Sequence, residues 1–377
     1  MPFCTSRCDY CAFATWTDRH HLRDTYVEAV LAELATARRA GRLRPATTVF
    51  VGGGTPSLLG RDRLTRLLST VARAPGAEVT VECNPETTTP DLLDALARAG
   101  VTRISLGAQS MAPHVLAGLG RHHHPDQVRR AAAMVGANGT FEHSVDLIYG
   151  GAGETDADWA ATLEAVLGLD PAPAHVSAYA LTLEPGTPLW RDPSRHPDDD
   201  VQARRYAMAD EILGAAGLEW YEISNWALPG HECRHNLGYW RQDPYLGAGC
   251  AAHSHEAGRR WWNVRHLDRY LEVVAATGGA VAGEEQLAPD DQGLEALQLA
   301  LRTRHGVPLA AFSPTALARL EDAGPLGPLV RRVGDRAVLT LRGRLLCNLV
   351  TCELSPPDMP ASPARTADRT GLARLDP

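Results

Sequence analysis

Lysine is missing from this 377-residue chain: the count of Lys plus Arg is 37, and every one of them is Arg. That excludes a phosphate-loop Lys and a Schiff-base Lys for pyridoxal phosphate. The Ala, Arg and Gly richness reflects codon bias rather than chemistry. Long apolar runs are missing too, and nothing approaches the roughly 18 uninterrupted residues of a membrane span. The first residues have no secretory pattern. A net charge of −8 without a basic stripe speaks against a nucleic-acid partner. Eight cysteines and no export signal fit a reducing compartment, where thiols bind metals rather than pair, so the expected location is the cytoplasm. With 44% hydrophobic and 22% charged residues, the chain is long enough for a large catalytic domain and a smaller second one.

A fourth cysteine near the N-terminal three is also lacking. Cys4, Cys8 and Cys11 form a Cys-x3-Cys-x2-Cys run, and thiolates so close together converge on one centre. Structural zinc and ordinary ferredoxin clusters each take four protein ligands. Three leave one iron of a [4Fe-4S] cluster open to an exchangeable ligand. This spacing resembles the signature of the radical S-adenosylmethionine (SAM) superfamily, in which SAM occupies that iron. A partial zinc site is the alternative.

Strand and helix patterns alternate over the first two-thirds. Asp18 to Ala40 reads as a helix with Tyr26, Val27, Val30, Leu31 and Leu34 on one stripe. Runs at 47–51, 78–82, 101–106, 144–149 and 176–181 read as strands, with helices after several of them. That order implies an α/β fold with a parallel sheet whose C-terminal strand ends carry the chemistry. Five units are fewer than the eight of a full barrel, so a partial, open β/α barrel is expected over 1–285, with 220–225 as another strand. A small C-terminal α/β domain, winged-helix-like, is expected over 286–354, and a disordered tail over 355–377.

Candidate site residues cluster at the strand ends. Gly52, Gly53 and Gly54 form either a tight turn or, beside a cysteine cluster, a loop whose bare backbone approaches a ligand and donates N–H groups. Glu82 is costly to bury unpaired and is either solvated or an acceptor for a ribose or amino group. Gln109, Arg121 and Asp146 complete a polar lining, Arg being suited to a carboxylate. His122, His123 and His124 read as a solvated loop. The segment from His231 to Trp240 gathers His, Cys, Tyr and Trp, which suit haem ligation and stacking; from the residues alone a packed aromatic loop ranks ahead.

Taken together, Cys4 to Phe13, Gly52-Gly-Gly-Thr-Pro-Ser57, Arg103 to Ser110 and Asp146-Leu-Ile-Tyr149 resemble the oxygen-independent coproporphyrinogen III oxidase-like family of radical SAM proteins. Tyr221-Glu-Ile-Ser-Asn225, His235-Asn-x-x-Tyr-Trp240 and Gly249 to Ser254 point to its haem chaperone branch. The resemblance implies a [4Fe-4S] cluster on Cys4, Cys8 and Cys11. It implies SAM contacts from Tyr10, Gly53, Gly54, Thr55, Glu82, Gln109, Arg121 and Asp146, and haem binding by His235, Asn236, Tyr239 and Trp240. Coproporphyrinogen dehydrogenases carry a further Cys where this chain has Phe13. The family also enters the cysteine run through a strand that is missing before Met1, so the natural start is expected upstream. Its Gly-Leu-Pro-Gly loop is Gly150-Gly-Ala-Gly153 here. The expected function is a haem carrier that hands haem to acceptor proteins. Radical decarboxylation of coproporphyrinogen III is the alternative, and a structural zinc protein a third.

Overall fold

The structure, a computed structural model, describes residues 1–320, 324 and 326–354. The tail expected from Ser355 lies outside the described residues. The chain forms two compact units, Met1–Gln286 and a second starting at Leu287.

The first unit opens with α1 (Arg23–Arg39), β1 (Ala46–Val51), α2 (Arg61–Thr70), β2 (Arg73–Cys83) and α3 (Pro90–Arg98). It continues through β3 (Arg103–Gln109), α4 (Pro113–Gly118), α5 (Pro125–Asn138), β4 (Glu142–Tyr149), α6 (Asp156–Leu167) and β5 (His175–Ala180). Strands β1 to β5 pair in parallel, in chain order. β3 is buried nearly throughout, as a parallel strand covered on both faces should be. The helices start where the sequence supplies caps. Thr89 accepts from Leu92 N at the head of α3, and Thr155 and Asp158 form a reciprocal box at the head of α6. The buried stripe of α1 is Tyr26, Val27, Ala29, Val30, Leu34 and Ala37. At 25 cal/mol per Å², burial of each large side chain on such stripes contributes about 2 kcal/mol.

After α7 (Asp199–Ala215), the strand expected over Trp220–Asn225 is instead a hairpin, β6 (Glu219–Glu222) and β7 (Asn225–Ala227). β7 runs antiparallel to β5, and β6 antiparallel to β7. The seven-stranded sheet therefore has the order β1-β2-β3-β4-β5-β7-β6, a partial barrel open at both edges. The physical reason for the reversal is Glu222 and Asn225 pairing across a tight turn at Ile223 and Ser224. Next come α8 (Arg234–Trp240), β8 (His253–Glu256), β9 (Arg259–Asn263), α9 (Leu267–Thr277) and β10 (Val281–Gln286), with β8 to β10 in a small antiparallel sheet.

The second unit holds α10 (Pro289–Leu301), β11 (Val307–Pro308), α11 (Pro314–Arg319), β12 (Val330–Val333), β13 (Arg336–Leu339), α12 (Leu341–Leu345) and α13 (Cys347–Leu354). Its strands form a sheet of order β11-β13-β12 over a core that includes Leu301, Leu320, Val350 and Leu354. No helix among the described residues is long and apolar enough to cross a membrane.

Candidate functional site

Two short backbone contacts pin the ends of the cysteine loop. Phe3 and Trp16 form a bridge, with Cys4 N donating to Trp16 O at 3.2 Å. Phe3 is fully buried, edge-on to Tyr26 at 5.5 Å. At its far side Asp9 holds Leu119 O through its N–H at 3.1 Å and Arg195 through its carboxylate at 2.8 Å. Cys4, Cys8 and Cys11 are thus presented over the C-terminal ends of the parallel strands, lining one cavity of about 560 Å³. The same cavity is lined by Tyr10, Gly53, Gly54, Thr55, Glu82, Gln109, Arg121 and Asp146. All the residues expected to meet the cluster or SAM are brought together.

A polar ring links two of the thiols. Thr55 Oγ1 donates to Cys4 Sγ at 3.6 Å, and Asn84 Nδ2 donates to Thr55 Oγ1 at 3.2 Å. Arg121 donates to Asn84 Oδ1 at 3.3 Å, to Gly107 O at 3.1 Å and to Cys8 Sγ at 3.6 Å. Asn84 was not singled out from the sequence, although its neighbour Glu82 was. Donors aimed at the sulfurs suit an iron–sulfur cluster, whose potential they tune. Burial raises the Cys4 and Cys11 thiols above their usual range, so thiolate there calls for a metal. No group of three His, Cys, Asp or Glu side chains among the described residues is arranged to hold a single ion, whereas a larger cluster spans more widely spaced sulfurs. Arg121 Nε is buried without a partner, which leaves a donor for a ligand carboxylate. The residues present therefore fit a cluster and SAM.

The glycine loop differs from expectation in one respect. Gly53 N donates to Glu82 Oε2 at 3.0 Å, Gly54 N to Met1 O at 2.6 Å and Thr55 N to Phe3 O at 2.8 Å. Those N–H groups are taken by the protein, and the missing side chains make room for the segment that leads into the cysteine loop. A Cβ at Gly54 would lie 2.8 Å from Phe3 O and 3.0 Å from Cys4 Sγ. Gln109 ends β3 at φ 63°, a left-handed conformation of the kind that clusters at functional sites.

Two acids face each other within the lining. Burial, reinforced by repulsion from Asp146, pushes Glu82 up to about 7, against the opposing Gly53 N–H. Burial also raises Asp146, while the Ser177 and Ser105 hydroxyls hold it down. Ser105 donates to Asp146 at 3.0 and 3.1 Å. A ligand with a positive centre would relieve the repulsion that these partners and the nearby N-terminal ammonium leave in place.

The histidine run is not a solvated loop throughout. His123 is buried, its Nε2 2.9 Å from Ala108 O, and burial pushes it down to about 4. His124 accepts from Asp126 N to cap α5 and stays exposed, as does His122 at the cavity rim. The reversal follows from Pro125 starting the helix directly after the run, which turns His123 inward.

His235, Asn236, Tyr239 and Trp240 all lie on α8. His235 Nδ1 is 2.9 Å from Thr48 Oγ1, Nε2 is 2.9 Å from Tyr239 Oη, and the ring stacks on Phe50 at 5.2 Å. Burial lowers its imidazole below the usual range, so it is neutral. His235 and Tyr239 both line a cavity of about 690 Å³ beside β1. Asn236 instead bonds the Tyr221 hydroxyl, and Trp240 does not line that cavity.

A parallel half-barrel with three cysteines over its strand ends defines a radical SAM protein, and a family model described as the Radical SAM superfamily matches residues 1–166. A protein of Mycobacterium tuberculosis named heme chaperone HemW is 46% identical over 365 residues, 93% of this chain and 92% of its own length. Another of that name from Synechocystis is 37% identical, covering 91% of this chain and 85% of its own length. The solved structure of coproporphyrinogen III oxidase (HemN) from Escherichia coli shares the fold, with a TM-score of 0.80 at 22% identity over 94% of this chain and 88% of that one. The chain belongs to the HemW family of radical SAM proteins.

Proposed function

We propose that this protein is a cytoplasmic haem carrier that delivers haem to acceptor proteins and holds a [4Fe-4S] cluster with SAM. Cys4, Cys8 and Cys11 hold the cluster. Tyr10, Gly53, Gly54, Thr55, Glu82, Gln109, Arg121 and Asp146 hold SAM, with Arg121 directed to its carboxylate and Glu82 to its cationic or ribose groups. When bound, the cluster supplies a redox-active centre with one iron open to SAM. His235 offers haem iron a neutral imidazole, and Tyr239 offers an aromatic face beside it.

The observation that carries the reading is the setting of His235, a neutral imidazole on a half-buried helix lining a cavity, in a chain closely related to named haem chaperones. Phe13, 62% exposed at the rim of the cysteine cavity, brings no fourth thiol, which favours carrier over decarboxylase.

The test is anaerobic reconstitution to about four irons per chain, followed by haem titration and assays for deoxyadenosine and for coproporphyrinogen decarboxylation. Cluster-loaded protein is expected to bind haem near stoichiometrically without decarboxylating coproporphyrinogen. Failure to bind haem sinks the proposal, and substrate-dependent decarboxylation replaces it with the enzyme. His235→Ala is expected to weaken haem binding and change its spectrum.

A further inference from the structure

The helix that carries His235 starts without a cap of its own. Cys233, at its N-cap position, makes no side-chain capping bond, and α8 is about two turns long, so its first N–H groups need acceptors from elsewhere. They come from strands distant in sequence. Glu78 on β2 accepts from Arg234 N through Oε2 and from His235 N through Oε1, each at 3.0 Å. Its Oε1 also takes the Cys233 thiol at 3.4 Å, and the Tyr221 hydroxyl accepts from Cys233 N at 3.3 Å.

Glu78 is only 6% exposed, and nothing in the cluster or SAM lining uses it. A buried carboxylate persists only when compensated. Arg103, 3% exposed, supplies the charge at 3.6 Å from Glu78 while it also holds Glu142 at 2.7 Å and His231 O at 3.0 Å. Glu142 in turn meets His231 Nδ1 at 3.1 Å. The segment leading into α8 is stitched to β2, β3, β4 and β6.

The other grip on His235 is at the same level of the sheet. Thr48, which bonds the imidazole Nδ1, is the register partner of Glu78. β1 therefore holds the ring and β2 the backbone of one histidine.

We propose that Glu78 is the positioning residue for His235: its carboxylate fixes the first turn of α8 and so sets where the imidazole meets haem iron. This rests on the haem reading of His235 given above. Positioning, unlike charge, depends on reach. Glu78→Asp keeps the charge beside Arg103 but withdraws the carboxylate by one carbon–carbon bond, about 1.5 Å, too far to hold two N–H groups. Glu78→Gln keeps the length but exchanges one of the two accepting oxygens for an NH2 donor, so it can hold only one of the two N–H groups.

The experiment uses the full cluster-loaded chain and reads haem affinity by Soret titration, the ferric haem spectrum, and melting temperature with iron content. Glu78→Asp is expected to weaken haem binding by about tenfold and broaden the ferric spectrum into a mixture of coordination states, with iron content unchanged. Glu78→Gln, which can hold one of the two N–H groups, is expected to fall between wild type and Glu78→Asp in both affinity and spectrum. Wild-type affinity and spectrum in Glu78→Asp would overturn the proposal, as would wild-type affinity and spectrum in Glu78→Gln. His235→Ala separates the two levels. If it binds haem with unchanged spectrum, the ligand reading itself has failed. If it alone loses haem while Glu78→Asp does not, only the positioning role has.

Discussion

Replacing Glu82 by Gln should erase a pH dependence of SAM binding. In the cavity Glu82 is buried against Asp146, and its carboxyl is pushed up to about 7. The sign follows from charge: a raised carboxyl is neutral below that pH and becomes an anion only above it. A ligand that carries a sulfonium centre binds the anionic form better. At pH 6 about one tenth of Glu82 is ionised and at pH 8 about nine tenths, so apparent affinity should rise roughly tenfold, close to 1.4 kcal/mol, across that interval. SAM has its own titrating amino group, which acts equally on wild type and Glu82→Gln, so the ratio of their affinities isolates Glu82. Equilibrium dialysis of labelled SAM against anaerobically reconstituted protein supplies both numbers. A wild-type to variant ratio that stays constant from pH 6 to pH 8 would refute the assignment of Glu82 as a partner of the ligand's positive charge.

Arg121→Lys keeps a cation but loses the planar fork that reaches Cys8, Asn84 and Gly107 O; SAM affinity should fall at least about tenfold while iron and sulfide analysis shows the cluster retained. Glu222 is pushed up to about 8 by burial, with one opposing bond from Ser224 N. A raised carboxyl costs stability as pH climbs through that value, so Glu222→Gln should gain about 3 kcal/mol over wild type between pH 6 and pH 9 in urea unfolding, and an unchanged difference would contradict it. Leu96, fully buried on α3, should cost about 3 kcal/mol when cut to Ala, read as a lowered melting temperature.

The parallel strands were legible because short β-branched runs stand between long amphipathic ones, and the lining of the cysteine cavity was legible because Gly53, Glu82, Gln109 and Asp146 each sit at or near a strand's C-terminal end. The hairpin of β6 and β7 was not, because no glycine marks the turn at Ile223 and Ser224. The antiparallel β8–β10 sheet was hidden by strands of four to six residues carrying His, Arg and Glu with no clean alternation. Glu78 left no local signal at all, since its partners lie 155 to 157 residues away. His123 was misread because neighbouring histidines look alike until a helix start orients them.

The barrel interior explains why those distant residues matter together. A packed barrel fills its layers with Val, Ile and Leu, but here one register row across β2 to β5 reads Glu82, Ser105, Ser144 and His175, and the next includes Gly107, Asp146, Ser177 and Asn225. These polar groups join a chain whose direction is fixed at its Cys233 end. Cys233 N can only donate, so the Tyr221 hydroxyl that accepts from it turns its own proton to His175 Nε2 at 2.7 Å. Burial holds His175 neutral, so its proton sits on Nδ1 and goes to Ser144 Oγ at 2.8 Å. Ser105 Oγ lies 3.3 Å from Ser144 Oγ and 3.0 and 3.1 Å from the Asp146 oxygens, which carries the chain on to the cysteine cavity. Asp146 in the cysteine cavity and the N-cap of the His235 helix are therefore linked through one hydrogen-bond chain, and the polar interior is what joins them.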